Sequence, residues 1–225
     1  MDLDGTLIDS DITNFQLLYG LLKKYQYDDK IKIIMDGLAV GTHFDEIMKL
    51  IEMPREIRNM INSEITELLK NQDYKLIEGV KDTLNKIKLK GFKLAIATDN
   101  YYHLTVNYLK KNDIKQYFDD NLILASDNFK FQKPHKKVIE EIFKRSKTNM
   151  GILIGNSSKE IDFAKSVGLP IVLLDNFSKL DSNDPTIMYY QKIRQLSEKE
   201  DYSKMYKAQS WNEIYIVINK IIKDL

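Results

Sequence analysis

The chain contains no cysteine and only 4 prolines, 9 glycines and 1 tryptophan among its 225 residues. The absence of cysteine excludes disulfide bonds and thiolate metal sites. The sequence also has no run of eighteen apolar residues and no signal-peptide pattern, so we expect no membrane partner. These absences predict a cytoplasmic protein.

Charge is nearly balanced, with 34 basic and 33 acidic residues and a formal net charge of +1. Proteins that bind nucleic acids or membrane surfaces usually carry a marked positive excess, so no nucleic-acid partner is expected. Hydrophobic residues make up 43% of the chain and charged residues 30%, which is typical of a globular protein. A length of 225 residues allows one ordinary domain, or one with a small accessory domain.

Apolar runs alternate with helical patterns from residue 78 to residue 175. Four runs predict buried strands: "GFKLAIAT" (91–98), "NLILAS" (121–126), "MGILIG" (150–155) and "LPIVLLD" (169–175). Helices are predicted over 78–91, 103–112, 134–146 and 157–168, the third beginning at Pro134. Continuous apolar strands suit a parallel sheet that is covered on both faces. The pattern predicts an α/β fold with a doubly wound, Rossmann-like parallel sheet.

Residues 12–76 differ, because they carry amphipathic helical segments and no convincing strand. This predicts an inserted helical domain over 12–76, with 1–11 and 77–225 forming the α/β core. We interpret the polar stretch 176–204 as a surface excursion of the core that holds one candidate helix, "TIMYYQKIRQLSE". "SWNE" at 210–213 is a capping box and predicts a final helix over 211–223.

The opening "MDLDGTLIDS" places Asp2 and Asp4 two residues apart, which in extended backbone points both side chains the same way. Adjacent carboxylates repel, so a divalent metal or a division of roles would explain the pair. One carboxylate can attack phosphorus while its neighbour transfers a proton. Gly5 and Thr6 would let backbone N–H groups approach an anion closely. The alternative is an N-terminal turn with two solvated acids.

Three further segments accompany this opening, and together they resemble the haloacid dehalogenase (HAD) superfamily. "DLDGT" is similar to motif I (D-x-D-G-T), and "LAIAT", which ends at Thr98, is similar to motif II. Lys133 in "FQKPHKK" matches motif III, and "ILIGNSSKEIDFAKSVGLP" is similar to motif IV. The motifs occur in the family's order and span nearly the whole chain. The chain resembles the helically capped phosphatase branch, which includes phosphoglycolate phosphatases and β-phosphoglucomutases.

The resemblance implies a role for each matching residue. Asp2 would attack phosphorus to form an aspartyl-phosphate, and Asp4 would protonate the leaving oxygen and then activate water. Thr98 would hydrogen-bond a phosphoryl oxygen, and Lys133 would neutralise charge and hold nucleophile and phosphate together. Asp99 would offer a backbone contact to phosphate, although its side chain is also placed to cap the next helix. An aspartate at position 4 favours phosphate esters over dehalogenation.

Mg²⁺ is the implied cofactor, held by Asp2, the backbone carbonyl of Asp4 and an acidic residue of motif IV. This chain departs from the usual motif there, because Asn156 replaces its first Asp and Glu160 aligns with its second. Asn156 offers an oxygen without charge, and Glu160 also completes a capping box with Ser157. Asp162 is a less suitable substitute because it faces another side of the helix.

These features predict a Mg²⁺-dependent hydrolase that removes phosphate from a small phosphorylated metabolite. The alternatives are a phosphosugar mutase of the same superfamily and a catalytically impaired HAD-like binding protein. The helical insert would act as a cap, and "MDGLAVGTHFDE" (35–46) is either a specificity segment or an ordinary turn between helices; we favour the turn. The substrate and the oligomeric state are left open.

The resemblance also implies a hydrophobic strand directly before the first aspartate, where this sequence has only Met1. Without it, a central slot of the parallel sheet would be empty. Three accounts are compatible with this: a start recorded too late, a shortened chain, or an impaired product. We favour the first two, and therefore expect the functional protein to begin upstream of Met1.

Overall fold

A computed structural model describes residues 1–40, 42, 44–70, 72–175, 184 and 186–224. Contacts divide the chain into two units. The first, the α/β unit, comprises the described parts of Met1–Asp9, Lys75–Asn176 and Asp201–Leu225. The second, the helical unit, comprises those of Ser10–Tyr74 and Phe177–Glu200.

Ten α-helices and five strands are present within the described residues. The helices are α1 (Ser10–Lys24), α2 (Ile31–Ala39), α3 (Phe44–Leu50), α4 (Arg55–Lys70), α5 (Val80–Leu89), α6 (Tyr102–Lys111), α7 (Lys137–Ser146), α8 (Ser158–Val167), α9 (Thr186–Glu198) and α10 (Trp211–Asp224). The strands are β1 (Ile96–Ala97), β2 (Ile123–Leu124), β3 (Leu153–Gly155), β4 (Ile171–Leu174) and β5 (Met205–Ala208). Short 3₁₀ turns occupy Asp28–Lys30, Lys115–Tyr117 and Asp120–Leu122. None of the described helices is both long and apolar enough to cross a membrane.

The α/β unit is built on parallel strands in two ladders, β2–β1 and β3–β4–β5. The first two residues of the chain lie between β1 and β3. The Met1 amino group donates to the Ala95 carbonyl at 2.8 Å, and the Ala97 N–H donates to the Met1 carbonyl at 3.0 Å. On the other side, the Asp2 N–H donates to the Ile154 carbonyl at 2.9 Å. The strands thus follow the order β2, β1, N-terminal residues, β3, β4, β5, as in a doubly wound fold.

The four predicted strands are present, although each is shorter than its apolar run. The β1–β2 ladder contains only two residue pairs, and a 3₁₀ turn ends immediately before β2. The sequence did not predict β5, because its residues are only partly buried and form no continuous apolar run. Pro134 lies three residues before the first residue of α7, so the prediction that it begins this helix is wrong.

An apolar cavity of about 700 Å³ lies beside Met1 in the α/β unit. Residues that line it include Ala95 and Ala97 on one side and Leu153 and Ile154 on the other. The sequence predicts an empty slot at this level of the sheet. The structure has a cavity there, and among the described residues only Met1 and Asp2 hydrogen-bond across the gap.

The helical unit has its own core, formed by the inward faces of its helices. Buried residues come from α1, α2, α3 and α4; they include Leu18, Leu22, Ile34, Met35, Ile47, Met48 and Ile61. Residues Gly41 and His43 of the segment 35–46 lie outside the described residues, so the candidate specificity segment is described only in part.

Helix α9 belongs to the helical unit and packs against α1 and α2. Tyr189, Tyr190 and Ile193 are buried, and the Tyr189 ring lies 4.7 Å from the ring of Phe15. The interpretation of 176–204 as a surface excursion of the core is therefore wrong for α9. Position along the chain suggested the core, but the apolar face of α9 finds its partners on helices far away in sequence. That the helical unit acts as a cap stays a prediction.

Candidate functional site

The four motif segments meet at one edge of the parallel sheet. Thr98 directly follows β1, and Asn156 directly follows β3. The loop from Asp2 to Thr6 begins between these strands. Because the carboxyl ends of parallel strands lie at a common edge, this order brings the three segments together. Lys133 reaches the same edge from the segment that precedes α7.

Lys133 forms a buried ion cluster with Asp2 and Glu160. Its Nζ donates to Asp2 Oδ1 at 2.5 Å and to Glu160 Oε1 at 2.8 Å. The side chains of Lys133, Asp2 and Glu160 are only 6%, 10% and 3% exposed. Buried charges of this kind need good geometry to offset their desolvation, and removing one partner leaves the others uncompensated. The fold thus places the Lys133 ammonium group beside Asp2, the predicted nucleophile.

Burial and neighbouring charges set the protonation of this cluster. Burial raises the pKa of Asp2 to about 7, and the carboxylates of Glu160 and Asp4 add to the rise against the opposing Lys133. Burial alone would lower the pKa of Lys133, but the two carboxylates outweigh it and hold this pKa above its usual range. Burial alone would raise the pKa of Glu160, but Lys133 and Ser157 outweigh it and hold this pKa below its usual value. The ammonium is therefore charged, and an added cation would favour the ionised form of Asp2.

The loop that follows Asp2 is held by its own backbone. Gly5 has a left-handed φ of 63°, which glycine adopts at little cost. The Gly5 N–H donates to the Ile8 carbonyl at 3.0 Å, and the Thr6 N–H donates to the Leu3 carbonyl at 3.3 Å. The structure thus corrects the expectation that these two N–H groups face an anion, because both bind carbonyls within the loop.

Thr6 contributes to the site through its side chain instead. Its hydroxyl donates to Asn156 Oδ1 at 3.2 Å, and both residues are buried. This contact ties the D-x-D-G-T loop to the first residue after β3. Asp4 is partly buried in the same loop, and its backbone pairs with Ile8 in an isolated parallel bridge.

Glu160 is committed to two partners. Besides Lys133, its carboxylate accepts hydrogen bonds at Oε2 from the Ser157 N–H at 3.1 Å and from the Ser157 hydroxyl. This is the capping box that the sequence predicts at the start of α8. Asp162, the weaker alternative in motif IV, is exposed. Glu160 therefore contacts both Lys133 and Ser157, and its role as a metal ligand stays a prediction.

Thr98 and Asp99 follow β1. Thr98 is buried, its N–H donates to the Leu124 carbonyl, and its Oγ1 accepts from the Asn100 N–H at 3.1 Å. The Thr98 hydroxyl hydrogen is thus available to an anion. The Asp99 carboxylate pairs with Lys159 at 2.5 Å, so the expectation that it caps the next helix is wrong.

Sequence reasoning missed two residues near the site. Lys159, on α8, pairs with Asp99 and adds a positive charge at the edge of the site. Trp211 donates its indole N–H to the carbonyl of Thr6 at 2.9 Å. The only sequence signal for Trp211 was its place in the "SWNE" capping box, which predicts a helix start and says nothing of a contact with the first loop.

The oxygens of Asp2, Asp4 and Asn156 are candidate ligands for a divalent cation. They are hard donors of the kind that Mg²⁺ prefers, and Asp2, Asp4 and Glu160 together carry more negative charge than Lys133 neutralises. Within the described residues, no group of three or more His, Cys, Asp or Glu side chains is arranged to hold a metal. The donor set therefore fits Mg²⁺ only if an amide or backbone oxygen completes it.

Comparison with known proteins places these motifs in a family. A family model of haloacid dehalogenase-like hydrolases matches residues 1–174. A phosphorylated carbohydrates phosphatase of Thermotoga maritima is 24% identical over 179 residues, covering 75% of this chain and 80% of that protein. A phosphoglycolate phosphatase of Agrobacterium fabrum is 25% identical over 181 residues, covering 76% of this chain and 77% of that protein.

Solved structures share the fold along nearly the whole chain. A conserved haloacid dehalogenase-like protein of unknown function from Agrobacterium tumefaciens aligns with a TM-score of 0.75 at 17% identity, covering 98% of this chain and 96% of that one. The putative HAD-hydrolase YfnB of Bacillus subtilis, solved bound to magnesium, aligns with a TM-score of 0.63 at 19% identity, covering 97% and 96%. These likenesses confirm the predicted α/β, Rossmann-like core.

Proposed function

The chain belongs to the haloacid dehalogenase-like hydrolase family, as its four motifs predicted, and we propose that it removes phosphate from a small phosphorylated metabolite. The observation that carries this proposal is the buried contact between Lys133 and Asp2. A carboxylate held against an ammonium group is suited to attack an anionic phosphoryl group, because the cation offsets the negative charge gathering there. The names of the two curated relatives support a phosphatase.

The proposed hydrolysis proceeds in two steps. In the first, an Asp2 oxygen forms a bond to phosphorus while the bond to the leaving oxygen breaks, and the Asp4 carboxylic acid gives that oxygen its proton. In the second, the Asp4 carboxylate takes a proton from water as the water oxygen attacks the aspartyl-phosphate. Inorganic phosphate leaves, Asp2 is regenerated as a carboxylate, and Asp4 is again protonated. The products are the dephosphorylated alcohol and phosphate.

The neighbouring residues hold the phosphoryl group during both steps. Lys133 lies within hydrogen-bond distance of Asp2 and would bridge it to a phosphoryl oxygen. The Thr98 hydroxyl would donate to a second oxygen, because its own oxygen already accepts from Asn100. Glu160 would keep Lys133 in place through their 2.8 Å contact. These residues position and neutralise, which is most of what phosphoryl transfer requires.

Mg²⁺ is the cofactor that this donor set fits, and we assign it to Asp2, the backbone carbonyl of Asp4 and the Asn156 amide oxygen. When bound, the ion would neutralise charge on the phosphoryl oxygens. Glu160 stays a further candidate ligand, because its oxygens accept hydrogen bonds from Lys133 and Ser157 in the same way that Asn156 Oδ1 accepts one from Thr6. The putative HAD-hydrolase YfnB of Bacillus subtilis, which shares the fold, was solved bound to magnesium. With Asn156 in place of a carboxylate, we expect weaker binding of Mg²⁺ than a second charged ligand would give.

The test is phosphate release from a panel of phosphorylated sugars, phosphoglycolate, pyrophosphate and nucleotides, with and without Mg²⁺. Asp2→Asn is expected to abolish release, because the amide is a poor nucleophile of nearly the same size. Asp82→Asn is the matched control, since Asp82 is exposed on α5 and distant in sequence from all four motifs. Equal rates for wild type and Asp2→Asn would exclude the aspartyl-phosphate mechanism.

The same assay distinguishes the two alternatives. An isomerised phosphosugar in place of free phosphate would identify a mutase, which returns the phosphoryl group to its substrate. Absence of turnover by folded protein on every substrate would favour a binding protein. The replacement of a motif IV carboxylate by Asn156 would then account for the loss of activity.

A further inference from the structure

Trp211 is the only tryptophan of the chain, and it links the last helix to the first loop. It is the first residue of α10, more than two hundred positions from the D-x-D-G-T segment, and its side chain is 0% exposed. Its indole Nε1–H donates to the Thr6 carbonyl at 2.9 Å. A buried indole N–H needs an acceptor, and here the acceptor lies in the loop that carries Asp2 and Asp4.

The position of Trp211 is fixed from several directions. Its backbone carbonyl accepts a hydrogen bond from the Thr83 hydroxyl of α5 at 3.1 Å. Gly79, at a φ of 85°, approaches so closely that an added Cβ would lie 3.3 Å from the Trp211 Cβ. Ser210 caps α10 by accepting the Glu213 N–H at 3.2 Å. The indole therefore has little freedom to move, so the position of the Thr6 carbonyl depends on the position of the indole.

Thr6 transmits this constraint to the site. While its carbonyl is held by Trp211, its hydroxyl donates to Asn156 Oδ1 at 3.2 Å, and Asn156 is one of the proposed oxygen ligands. The Thr6 backbone thus lies between a rigid donor on one side and the end of β3 on the other. Loss of the indole donor would leave a buried carbonyl unpaired and allow this peptide to turn.

We propose that Trp211 is a positioning residue, whose indole N–H holds the Thr6 carbonyl and so keeps the D-x-D-G-T loop in register with Asn156 for catalysis. This inference rests on the proposed phosphatase function. It assigns to α10, which lies outside all four motifs, a direct part in setting the geometry of the nucleophile loop.

Because the chain has one tryptophan, a tryptophan analogue supplied during expression replaces Trp211 alone. β-(3-Benzothienyl)alanine keeps the shape of the side chain and substitutes sulfur for the N–H. We expect kcat to fall about tenfold or more while KM changes little, because substrate contacts persist but the loop is displaced. Trp211→Phe should show the same division between kcat and KM with a larger loss of stability.

The control is Tyr202→Phe, which removes a hydroxyl donor to the Leu169 carbonyl (2.8 Å) in the same unit but away from the loop. It should lower the unfolding midpoint without lowering kcat. If the benzothienyl protein has the wild-type kcat, or if Tyr202→Phe loses kcat in proportion to its stability, the proposal is overturned and Trp211 is a core residue only.

A second measurement does not depend on turnover. The single indole N–H gives one resonance in a ¹H–¹⁵N spectrum, which should be protected from exchange and should shift when inorganic phosphate and Mg²⁺ are added. Failure of wild type to hydrolyse any panel substrate would defeat the proposed function alone; a phosphate-induced shift would still support the link from Trp211 to the loop. An unprotected resonance, or one that phosphate leaves unmoved, would refute that link.

Discussion

Glu160 packs against Gly155, the last residue of β3, and occupies the space that a side chain at position 155 would need. A Cβ added to Gly155 would lie 2.3 Å from Glu160 Cγ and 2.8 Å from its Cβ. These atoms are the base of a buried side chain that binds Lys133, so they cannot move without disturbing the ion cluster. Gly155 is thus required by the site as much as by the strand.

Gly155→Ala is therefore expected to displace Glu160 and, through it, Lys133 and Asp2. A shift of about 1 Å in such groups reduces catalysis by about 10²-fold, which is the loss of kcat that we expect. Gly151→Ala is the matched control, because its Cβ would lie 3.2 Å from an edge atom of the Phe143 ring and should leave kcat nearly unchanged. Equal rates for the two variants would show that Glu160 does not position Lys133.

Lys133 also determines stability, since it is the shared partner of two buried carboxylates. Lys133→Met should lower the free energy of unfolding by about 3–5 kcal/mol, because Asp2 and Glu160 would then face each other without a cation. Adding Glu160→Gln to this variant removes one of the two charges and should restore part of the loss. Urea unfolding of the single and double variants measures the effect, and a double variant less stable than Lys133→Met would contradict it.

Among the secondary-structure elements, sequence patterns predict best those that are buried along their whole length. The runs at 150–155 and 169–175 predict β3 and β4, because both strands are buried along their whole length. The edge strand β5 escaped prediction, since only its last residue is buried. Similarly, the pattern of α9 predicts a helix, but its partners α1 and α2 are a matter of tertiary packing that local sequence does not encode.

Two glycines of the helical unit allow a comparison between elements. Gly20 is exposed in α1, where an added Cβ has no neighbour within 4 Å, while a Cβ on Gly37 in α2 would lie 2.8 Å from Ile47 Cδ1. Gly20→Ala should stabilise the protein by about 0.5–1 kcal/mol, because alanine restricts the unfolded chain. Gly37→Ala should destabilise it by about 1–3 kcal/mol through overpacking against α3. Chemical denaturation followed by circular dichroism measures both, and changes of the same sign would disprove the packing argument.

For the molecule as a whole, the four sequence motifs predicted which residues lie together. The individual contacts between the motifs are known only from the structure. Asp2, Thr98, Lys133 and Asn156 were all identified from their places in the four motifs that resemble those of the HAD superfamily. The contact of Glu160 with Lys133 and the donor role of Trp211 depend on contacts between distant segments. The use of the Gly5 and Thr6 N–H groups within their own loop depends on the loop's backbone conformation, which the motif does not specify. Their roles in catalysis stay predictions until the variants above are measured.

The gap between β1 and β3 is a feature of the whole α/β unit that is expected to lower its stability. An apolar cavity of about 700 Å³ at the centre of a parallel sheet forgoes packing that protein interiors normally have. An apolar strand fused ahead of Met1 would enter this space with its backbone beside β1 and β3. Each buried aliphatic side chain would contribute about 1.5–3 kcal/mol, against about 1–2 kcal/mol per residue for ordering the added backbone.

Fusion of six alternating valines and isoleucines should therefore raise Tm by several degrees, since about 1 kcal/mol shifts Tm by about 2–4 °C in chains of this size. A fused segment of equal length made of glycine and serine is the control and should not raise Tm. A dye that fluoresces on apolar surfaces should bind the unfused chain and the control but not the apolar fusion. If both fusions gave the same Tm and the same dye binding, the added strand would not occupy the cavity, and the Asp2 loop would be held by the contacts of Met1 and Asp2 with β1 and β3 and by those of Thr6 with Trp211 and Asn156.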